Sequence, residues 1–380
     1  MKKRVAVLGA TGSIGRSALD VLRAAKDDFE VVLLSSHTSS DPLLECAGNF
    51  PGAVLALSGD TAKPGDTRIA YYGTAALLKA IASSGADIAV NGISGAAGLA
   101  PSLAVLDTGA ALALANKETM VMAAPLVQER AAAKKGRIFP VDSEHAAIYN
   151  LLRAHGSDTL EEILLTASGG PFRTMPREKM AAVTPAEALA HPTWKMGPKI
   201  TIDSSTMANK GLEVIEAAGL FSVPADRVKV VVHPQSIVHS MIRLRDGAVY
   251  AQLSKPDMRL PIHQALYGDA CVPCPFGRLD FDNLSLSFEK PDFERFPMLA
   301  LAYRAAEKGG LYPAVYNGAN EIAVASFLKN AAAFLDIPKI VEYVLSKNWK
   351  EGKFDLESVL DADHRARLIA GEYIAKNLEK

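Results

Sequence analysis

The chain has 380 residues, with 41 basic and 42 acidic side chains and a net charge of −1. That balance excludes a general nucleic-acid or membrane-surface binder. The composition, 49% hydrophobic and 22% charged, is that of a globular protein, and the length predicts two or three domains.

The opening MKKRVAVLGATG runs from basic to apolar residues. Its apolar part is about half a dozen residues, short of the roughly 7–15 of a secretion signal. No run approaches the roughly 18 apolar residues of a membrane helix, so a cytoplasmic location is expected. RVAVLGA reads as a strand, SIGRSALDVLRAA as an amphipathic helix and FEVVLLS as a second strand; ADIAVNG and AALALANK are further apolar strands, each leading through a polar turn into a helical segment. Short apolar runs alternating with helices predict an α/β, Rossmann-like parallel sheet domain over residues 1–142. In such sheets ligands bind beyond the carboxyl ends of the strands. Weight therefore falls on residues 9–15, 35–39, 91–98, 116–118 and 142–145.

From about Ser143 the pattern changes. EEILLTAS, KITID, KVVVHPQS and AVYAQL read as strands with fewer helices between them. They predict a central α+β domain over residues 143–289, whose exposed strand edges suit self-association. After CVPCPFGRLDFDN, the segments FPMLALAYRAAEKG, NEIAVASFLKN, IPKIVEYVLSK and ADHRARLIAGEYIAKNLEK predict a C-terminal α-helical domain over residues 290–380. Cys46, Cys271 and Cys274 make no disulfide framework, and the lone CVPC lacks the second ligand pair that a zinc site needs.

Several stretches carry chemistry. Gly9-Ala-Thr-Gly12-Ser-Ile-Gly15 follows a strand and opens a helix, the context in which main-chain N–H groups cradle a pyrophosphate. The second strand ends Ser35-Ser36-His37-Thr38-Ser39-Ser40, with no acid before Asp41. A carboxylate there would bind the ribose 2′-hydroxyl of NAD, whereas hydroxyls and a histidine suit a 2′-phosphate, which favours NADP(H). In FPVDSEHAAI an extended chain turns Asp142 and Glu144 to one side, and paired carboxylates suit a hard divalent cation. ITIDSSTMANKGLEVIEAAGLF reads as a helix capped at Ser204, Ser205 or Thr206 and ended by Gly219, with Asn209, Lys210 and Glu213 on one face. Ser168-Gly169-Gly170 suits an anion, and HPTWKMGPKI places Trp194 and Met196 between prolines, as a core anchor or a lid over residues 191–200 with Gly197 as a hinge.

Together GATGSIG, ANKE, PVDSEHAAI, LLTASGGPF, HPTWKMGPKITIDSSTMANKGLEVIEA, HPQSIVHSM and NGANEIAVASFL resemble, in order and along the chain, the 1-deoxy-D-xylulose 5-phosphate reductoisomerases. The resemblance implies conversion of 1-deoxy-D-xylulose 5-phosphate to 2-C-methyl-D-erythritol 4-phosphate with NADPH and Mg²⁺, Mn²⁺ or Co²⁺, in the non-mevalonate isoprenoid pathway. It also implies inhibition by fosmidomycin-type phosphonates and a homodimer. By the same resemblance Asp142, Glu144 and Glu213 match metal ligands, and Lys117 and Ser143 lie at the reacting end of the substrate. Ser168, Ser204, Asn209 and Lys210 match the group around its phosphate, with His191 nearby and Trp194 and Met196 in the lid. Thr11, Gly12, Ser13, Ile14, Asn116, Glu118 and Gly197 match cofactor contacts. His239 matches a histidine near the nicotinamide, and a packing role in a strand reads equally well. Many members carry Gly-Lys-Asn after the second strand, where this chain has His37, Thr38 and Ser39 facing the 2′-phosphate. Two competing functions are an NADP-dependent sugar-phosphate or semialdehyde dehydrogenase without isomerisation, and a non-catalytic NADP-binding regulator.

Overall fold

A parallel sheet organises the first part of the chain. Its strands are β1 (Lys3–Leu8), β2 (Phe29–Ser36), β3 (Val54–Leu57), β4 (Ile69–Tyr72), β5 (Ile88–Asn91), β6 (Ala111–Leu114) and β7 (Ile138–Pro140), in the order β4-β3-β2-β1-β5-β6-β7. Every neighbouring pair is parallel. Helices α1 (Ser13–Ala24), α2 (Ser40–Ala47), α3 (Thr74–Ser83), α4 (Leu99–Asp107), α5 (Lys117–Ala133) and α6 (Ser143–His155) follow β1, β2, β4, β5, β6 and β7. The strands are covered on both faces, which is why Val5, Val7 and Leu8 are all fully buried and the sequence is continuously apolar there. On α1 the buried Ala18, Leu19, Val21 and Leu22 recur at helical spacing.

The later chain forms α7 (Arg177–Met180), α8 (Pro185–Leu189), α9 (Pro198–Ser205), α10 (Ala208–Phe221), α11 (Arg259–Tyr267), α12 (Pro297–Lys308), α13 (Tyr312–Leu328), α14 (Asp336–Leu345) and α15 (Leu356–Asn377). Its strands are β8 (Leu160–Ala167), β9 (Val228–Val232), β10 (Val238–Leu244) and β11 (Val249–Leu253), ordered β11-β10-β8-β9. Here β8 and β9 are parallel, while β10 runs antiparallel to β8 and to β11. Residues 297–377 carry only helices among the described residues, as the sequence predicts.

The computed structural model describes residues 1–59, 67–194, 196–350 and 353–378. The chain divides into two compact units. One comprises Met1–Thr119, Val127–Tyr149 and Asp257–Arg278; the other comprises Met120–Leu126, Asn150–Pro256 and Leu279–Lys380. These stretches interleave, unlike the consecutive domains expected from sequence. Residues 257–278 return to the first unit because α11 contributes Ile262, Ala265 and Leu266 to the core that holds Val5, Val7, Leu22 and Phe139. Lys3 Nζ donates to the Leu266 carbonyl at 2.8 Å, and the Tyr267 hydroxyl donates to Asp28. Helix α5 breaks at Ala123 (φ −146°, ψ 32°), two residues before Pro125, whose ring disfavours the helix just upstream.

Three local expectations are corrected. KITID is not a strand but most of α9: Pro198 takes a first-turn position, where its missing N–H costs nothing. The helix expected from about Ser204 to Gly219 is two helices, because Met207 adopts φ 64° between α9 and α10. Helix α10 continues past Gly219, where an added Cβ would stand 2.6 Å from that of Ala124, and stops at Ser222 (φ 54°). Strand β10 was hidden in the HPQSIVHSM motif. Among the described residues, no helix is long and apolar enough to cross a membrane.

Candidate active site

The glycine loop lies at the carboxyl end of β1. The Gly12 N–H donates to the Gly9 carbonyl at 3.0 Å, and the Arg16 N–H donates to the Gly12 carbonyl at 2.9 Å. Position 15 admits no side chain, because a Cβ there would stand 2.2 Å from the Gly9 carbonyl oxygen. The loop and the first turn of α1 are thus pressed together. The Ala10 N–H donates to the Ser35 carbonyl at 2.7 Å, which ties the loop to the end of β2. Gly12 and Ser13 are exposed and Thr11 and Ile14 half-buried, so the early main-chain N–H groups of α1 lie where a pyrophosphate can reach them. His37, Thr38 and Ser39 are exposed beyond β2, with His37 Nδ1 3.1 Å from Ser58 Oγ.

The ends of β6 and β7 carry the next group. Asn116 caps α5: its Oδ1 accepts from the Thr119 N–H at 3.0 Å, and its Nδ2 bonds the Ile93 and Gly95 carbonyls and Glu118 Oε2 at 2.8, 2.9 and 3.0 Å. Its side chain is committed to the fold, so its effect on a ligand is to orient Lys117 and Glu118. Lys117, the first residue of α5, sets its Nζ 2.7 Å from Asp142 Oδ2.

The extended geometry expected for residues 142–144 is corrected. The Ala146 N–H donates to the Asp142 carbonyl at 2.8 Å, so Asp142 caps α6 and Glu144 lies in its first turn. The helical periodicity of HAAIYNLLRAH wins over the alternation of the three preceding residues. The Asp142 carboxylate turns to Lys117, and Glu144 accepts from the Ser143 hydroxyl. Sequence reasoning weighted His145 with its segment but gave it no role. It is fully buried, with Nδ1 3.8 Å from Asp142 Oδ2.

In the second unit β8 ends in Ser168-Gly169-Gly170, where both glycines have positive φ (83° and 69°). Ser168 Oγ accepts from the Gly170 N–H at 3.2 Å and lies 3.2 Å from His191 Nε2, which is also 3.1 Å from Ser204 Oγ. His191 Nδ1 accepts from the Thr193 and Trp194 N–H groups at 3.1 and 2.9 Å. An Nδ1 that accepts puts the neutral ring's proton on Nε2, facing the two hydroxyls. Burial holds the His191 pKa below its ordinary value. Three separate elements thus converge on one small donor cluster.

Helix α10 carries Asn209, Lys210 and Glu213. Asn209 Nδ2 donates to Glu213 Oε1 at 2.5 Å and Lys210 Nζ pairs with Glu213 Oε2; Glu213 is 1% exposed. This face can lie so deep because Gly211 lets α10 press on α12: a Cβ there would stand 2.6 Å from that of Ala302. Beside Ser204, the buried Asp203 bonds Lys199 at 2.9 Å and Asn320 at 2.8 Å, a support that sequence reasoning missed. In the expected lid, residues 198–200 are already the first turn of α9, and Lys195 lies outside the described residues. Trp194 and Met196 are half-buried. The Trp194 ring stands edge-on to His239 at 6.3 Å, and His239 Nε2 lies 3.2 Å from the Ser254 carbonyl. Gly197 has φ −65° and open space around it, so nothing in this conformation requires glycine.

Two of the three cysteines are held away from the thiolate form. Burial pushes the Cys46 and Cys274 thiols up, and Cys271 is exposed. An activated thiolate needs the opposite shift, which disfavours the thioester type of dehydrogenase.

A family model described as 1-deoxy-D-xylulose 5-phosphate reductoisomerase matches residues 5–124, and models of that enzyme's C-terminal domains match residues 138–221 and 253–369. The 1-deoxy-D-xylulose 5-phosphate reductoisomerase of Treponema denticola is 45% identical, with 97% of this chain and 96% of that protein covered. That of Chlorobium chlorochromatii is 45% identical, with coverage of 98% and 100%. Among solved structures, the Zymomonas mobilis enzyme in complex with NADPH superposes with a TM-score of 0.90 at 41% identity, covering 98% of this chain and 99% of that one. A DOX-P reductoisomerase in complex with NADPH, fosmidomycin and magnesium gives a TM-score of 0.90 at 37% identity, with 98% of each chain covered.

Proposed function

The chain belongs to the 1-deoxy-D-xylulose 5-phosphate reductoisomerase family, and on that premise we propose how its residues divide the work. The reaction is the NADPH- and divalent-metal-dependent rearrangement and reduction of 1-deoxy-D-xylulose 5-phosphate to 2-C-methyl-D-erythritol 4-phosphate. When bound, the cation supplies a Lewis acid for the substrate's oxygens and NADPH supplies the hydride.

Asp142, Glu144 and Glu213 hold the cation. Their all-oxygen donor set fits Mg²⁺, and it suits Mn²⁺ and Co²⁺ as well. The ammonium groups that pair with Asp142 and Glu213 support this, since each carboxylate is placed where positive charge is needed. Lys117 and Ser143 orient the reacting end of the substrate. Ser168, His191, Ser204, Asn209 and Lys210 bind its phosphate, and Trp194 and Met196 exclude water over it. The main chain of Thr11, Gly12, Ser13 and Ile14 holds the cofactor pyrophosphate, and His37, Thr38 and Ser39 face its 2′-phosphate. Glu118 and Gly197 complete the cofactor contacts, with Asn116 holding Lys117 and Glu118 in place. Residues 1–142, 143–289 and 290–380 serve as the cofactor, catalytic and helical parts, except that residues 257–278 pack with the first unit and residues 120–126 with the second.

One observation carries this division. The Lys117–Asp142 pair stands at the carboxyl ends of β6 and β7, on the sheet edge whose β1 end bears the glycine loop. The cofactor loop and the residues proposed to hold metal and substrate thus share one edge. The enzyme is proposed to act as a cytoplasmic homodimer. Among the described residues β11 is an edge strand, and it exposes Val249 and Tyr250 by 45% and 40%. The deciding assay is NADPH oxidation with 1-deoxy-D-xylulose 5-phosphate, with and without EDTA. Turnover that survives chelation would remove the metal assignment.

A further inference from the structure

We propose that Arg16, in the first turn of α1, is the cationic contact for the cofactor's 2′-phosphate and sets this chain's preference for NADPH over NADH. The inference rests on the cofactor reading above and assigns a residue that it leaves out.

A 2′-phosphate is recognised beside the end of the second strand of such a sheet, where an arginine nearby accommodates it. In this chain that end, His37-Thr38-Ser39, offers hydroxyls and an imidazole but neither lysine nor arginine. His37 Nδ1 is already engaged with Ser58 Oγ at 3.1 Å. A phosphate dianion bound there calls for a fixed charge from another segment.

Arg16 faces that place. Ile14 turns toward β5, since its Cβ stands 3.1 Å from where a Cβ on Gly92 would be. Gly15 faces the floor of the loop, against Gly9 and Ala10. At about 100° per residue, Arg16 projects some 200° from Ile14, toward β2 and α2. The charge of Arg16 acts on the Cys46 thiol of α2, whose Sγ lies 3.9 Å from the Ala10 carbonyl, in keeping with this direction. Helix α2 begins directly after Ser39.

The guanidinium is also prepared for an anion. Its Nε donates to the Thr11 carbonyl at 3.1 Å, and among the described residues no carboxylate pairs with it. With Nε anchored on the glycine loop, the terminal nitrogens remain for a forked contact to phosphate oxygens. The side chain is exposed, so its role is not packing.

The test is the dissociation constant of NADPH and of NADH, by isothermal titration of the metal-free chain, for wild type, Arg16→Ala and Arg16→Lys. Displacement of NADPH by 2′,5′-ADP isolates the phosphate contact. Arg16→Ala should weaken NADPH about 10- to 100-fold while NADH hardly changes, and the affinity for 2′,5′-ADP should fall in parallel. Arg16→Lys, which keeps the charge and loses the fork, should fall between. Equal losses for both cofactors would show a pyrophosphate or structural role, and no loss in Arg16→Ala would leave the 2′-phosphate to His37, Thr38 and Ser39; either overturns the inference while the cofactor reading stands. A wild-type chain without preference for NADPH would overturn the cofactor reading itself, and this inference with it.

Discussion

Lys117 Nζ and Asp142 Oδ2 stand 2.7 Å apart with side chains only 7% and 12% exposed. The two residues come from the first turn of α5 and the cap of α6, so the pair fixes two helix starts against each other as well as two charges. Removing one partner of a buried pair strands the other and costs about 3–5 kcal/mol. Lys117→Met should therefore lower stability in urea by an amount of that order, and adding Asp142→Asn should recover most of it. Both variants should lose turnover. A Lys117→Met chain as stable as wild type would mean that water, not the lysine, balances Asp142.

Glu213→Gln tests the metal assignment from the other unit. The amide keeps the bond from Asn209 and loses the charge that Lys210 pairs with. Turnover should nearly vanish, and the Mg²⁺ concentration giving half-maximal activity should rise. NADPH affinity should stay close to wild type, because the cofactor's phosphates are assigned to the glycine loop. Full activity of this variant in metal-limited buffer would remove Glu213 from the ligand set.

The parts of this structure set by local chemistry were readable, and the parts set by return of the chain were not. The strand, glycine loop and helix of residues 3–24 declare themselves because apolar period and glycine positions agree. ITID misled because its alternation of β-branched and polar residues imitates a strand, whereas Pro198 and the packing of α9 on α10 and α13 make it helical. Nothing in RLPIHQALY marks it as core for strands some 250 residues earlier; only tertiary packing of Ile262 and Leu266 does that. His145 was legible as a residue but not as a neighbour of Asp142, since that proximity depends on the segment being a helix cap. The family motifs proposed site residues, but could not show that the amide of Asn116 is committed to capping α5.

Trp194 offers a direct test of the proposed lid. It is half-buried beside His239, while Trp349 is buried and donates its indole N–H to the Val344 carbonyl at 2.9 Å. In a Trp349→Phe background, emission on addition of fosmidomycin and Mg²⁺ should change as Trp194 loses its remaining water contact. Unaltered emission at saturation would make Trp194 a static anchor against His239.

His191 should make stability depend on pH in one direction. Burial and two main-chain N–H donors to Nδ1 favour the neutral ring, so its folded pKa lies below the ordinary 6.5. Above that value neither state binds the proton and the contribution is fully present. As pH falls through 6.5 toward the depressed folded value, the unfolded chain takes up a proton first and stability is lost. His191→Gln should flatten this acid-side loss in urea titrations. A proton NMR titration placing His191 at or above 6.5 in the free protein would contradict the argument.

The proposed phosphate site combines two kinds of donor on the second unit, and the difference between them is measurable. Ser168 and Ser204 meet at His191 Nε2, at 3.2 and 3.1 Å, and among the described residues neither pairs there with a charged group. Each hydroxyl removed should cost one hydrogen bond to a charged oxygen, about 1.5–3 kcal/mol, or roughly 10- to 150-fold in substrate affinity. Ser168→Ala and Ser204→Ala should therefore raise KM and weaken fosmidomycin while stability barely moves. Lys210 differs because it also neutralises Glu213 in a buried pair, with side chains 5% and 1% exposed. Lys210→Ala should weaken phosphonate binding and, in addition, leave Glu213 stranded, lowering stability and altering the metal dependence. Lys210→Ala combined with Glu213→Gln should regain stability but not phosphate affinity. If Lys210→Ala lowered stability and left fosmidomycin affinity intact, the lysine would serve Glu213 alone, and the phosphate would belong to the serines, His191 and Asn209.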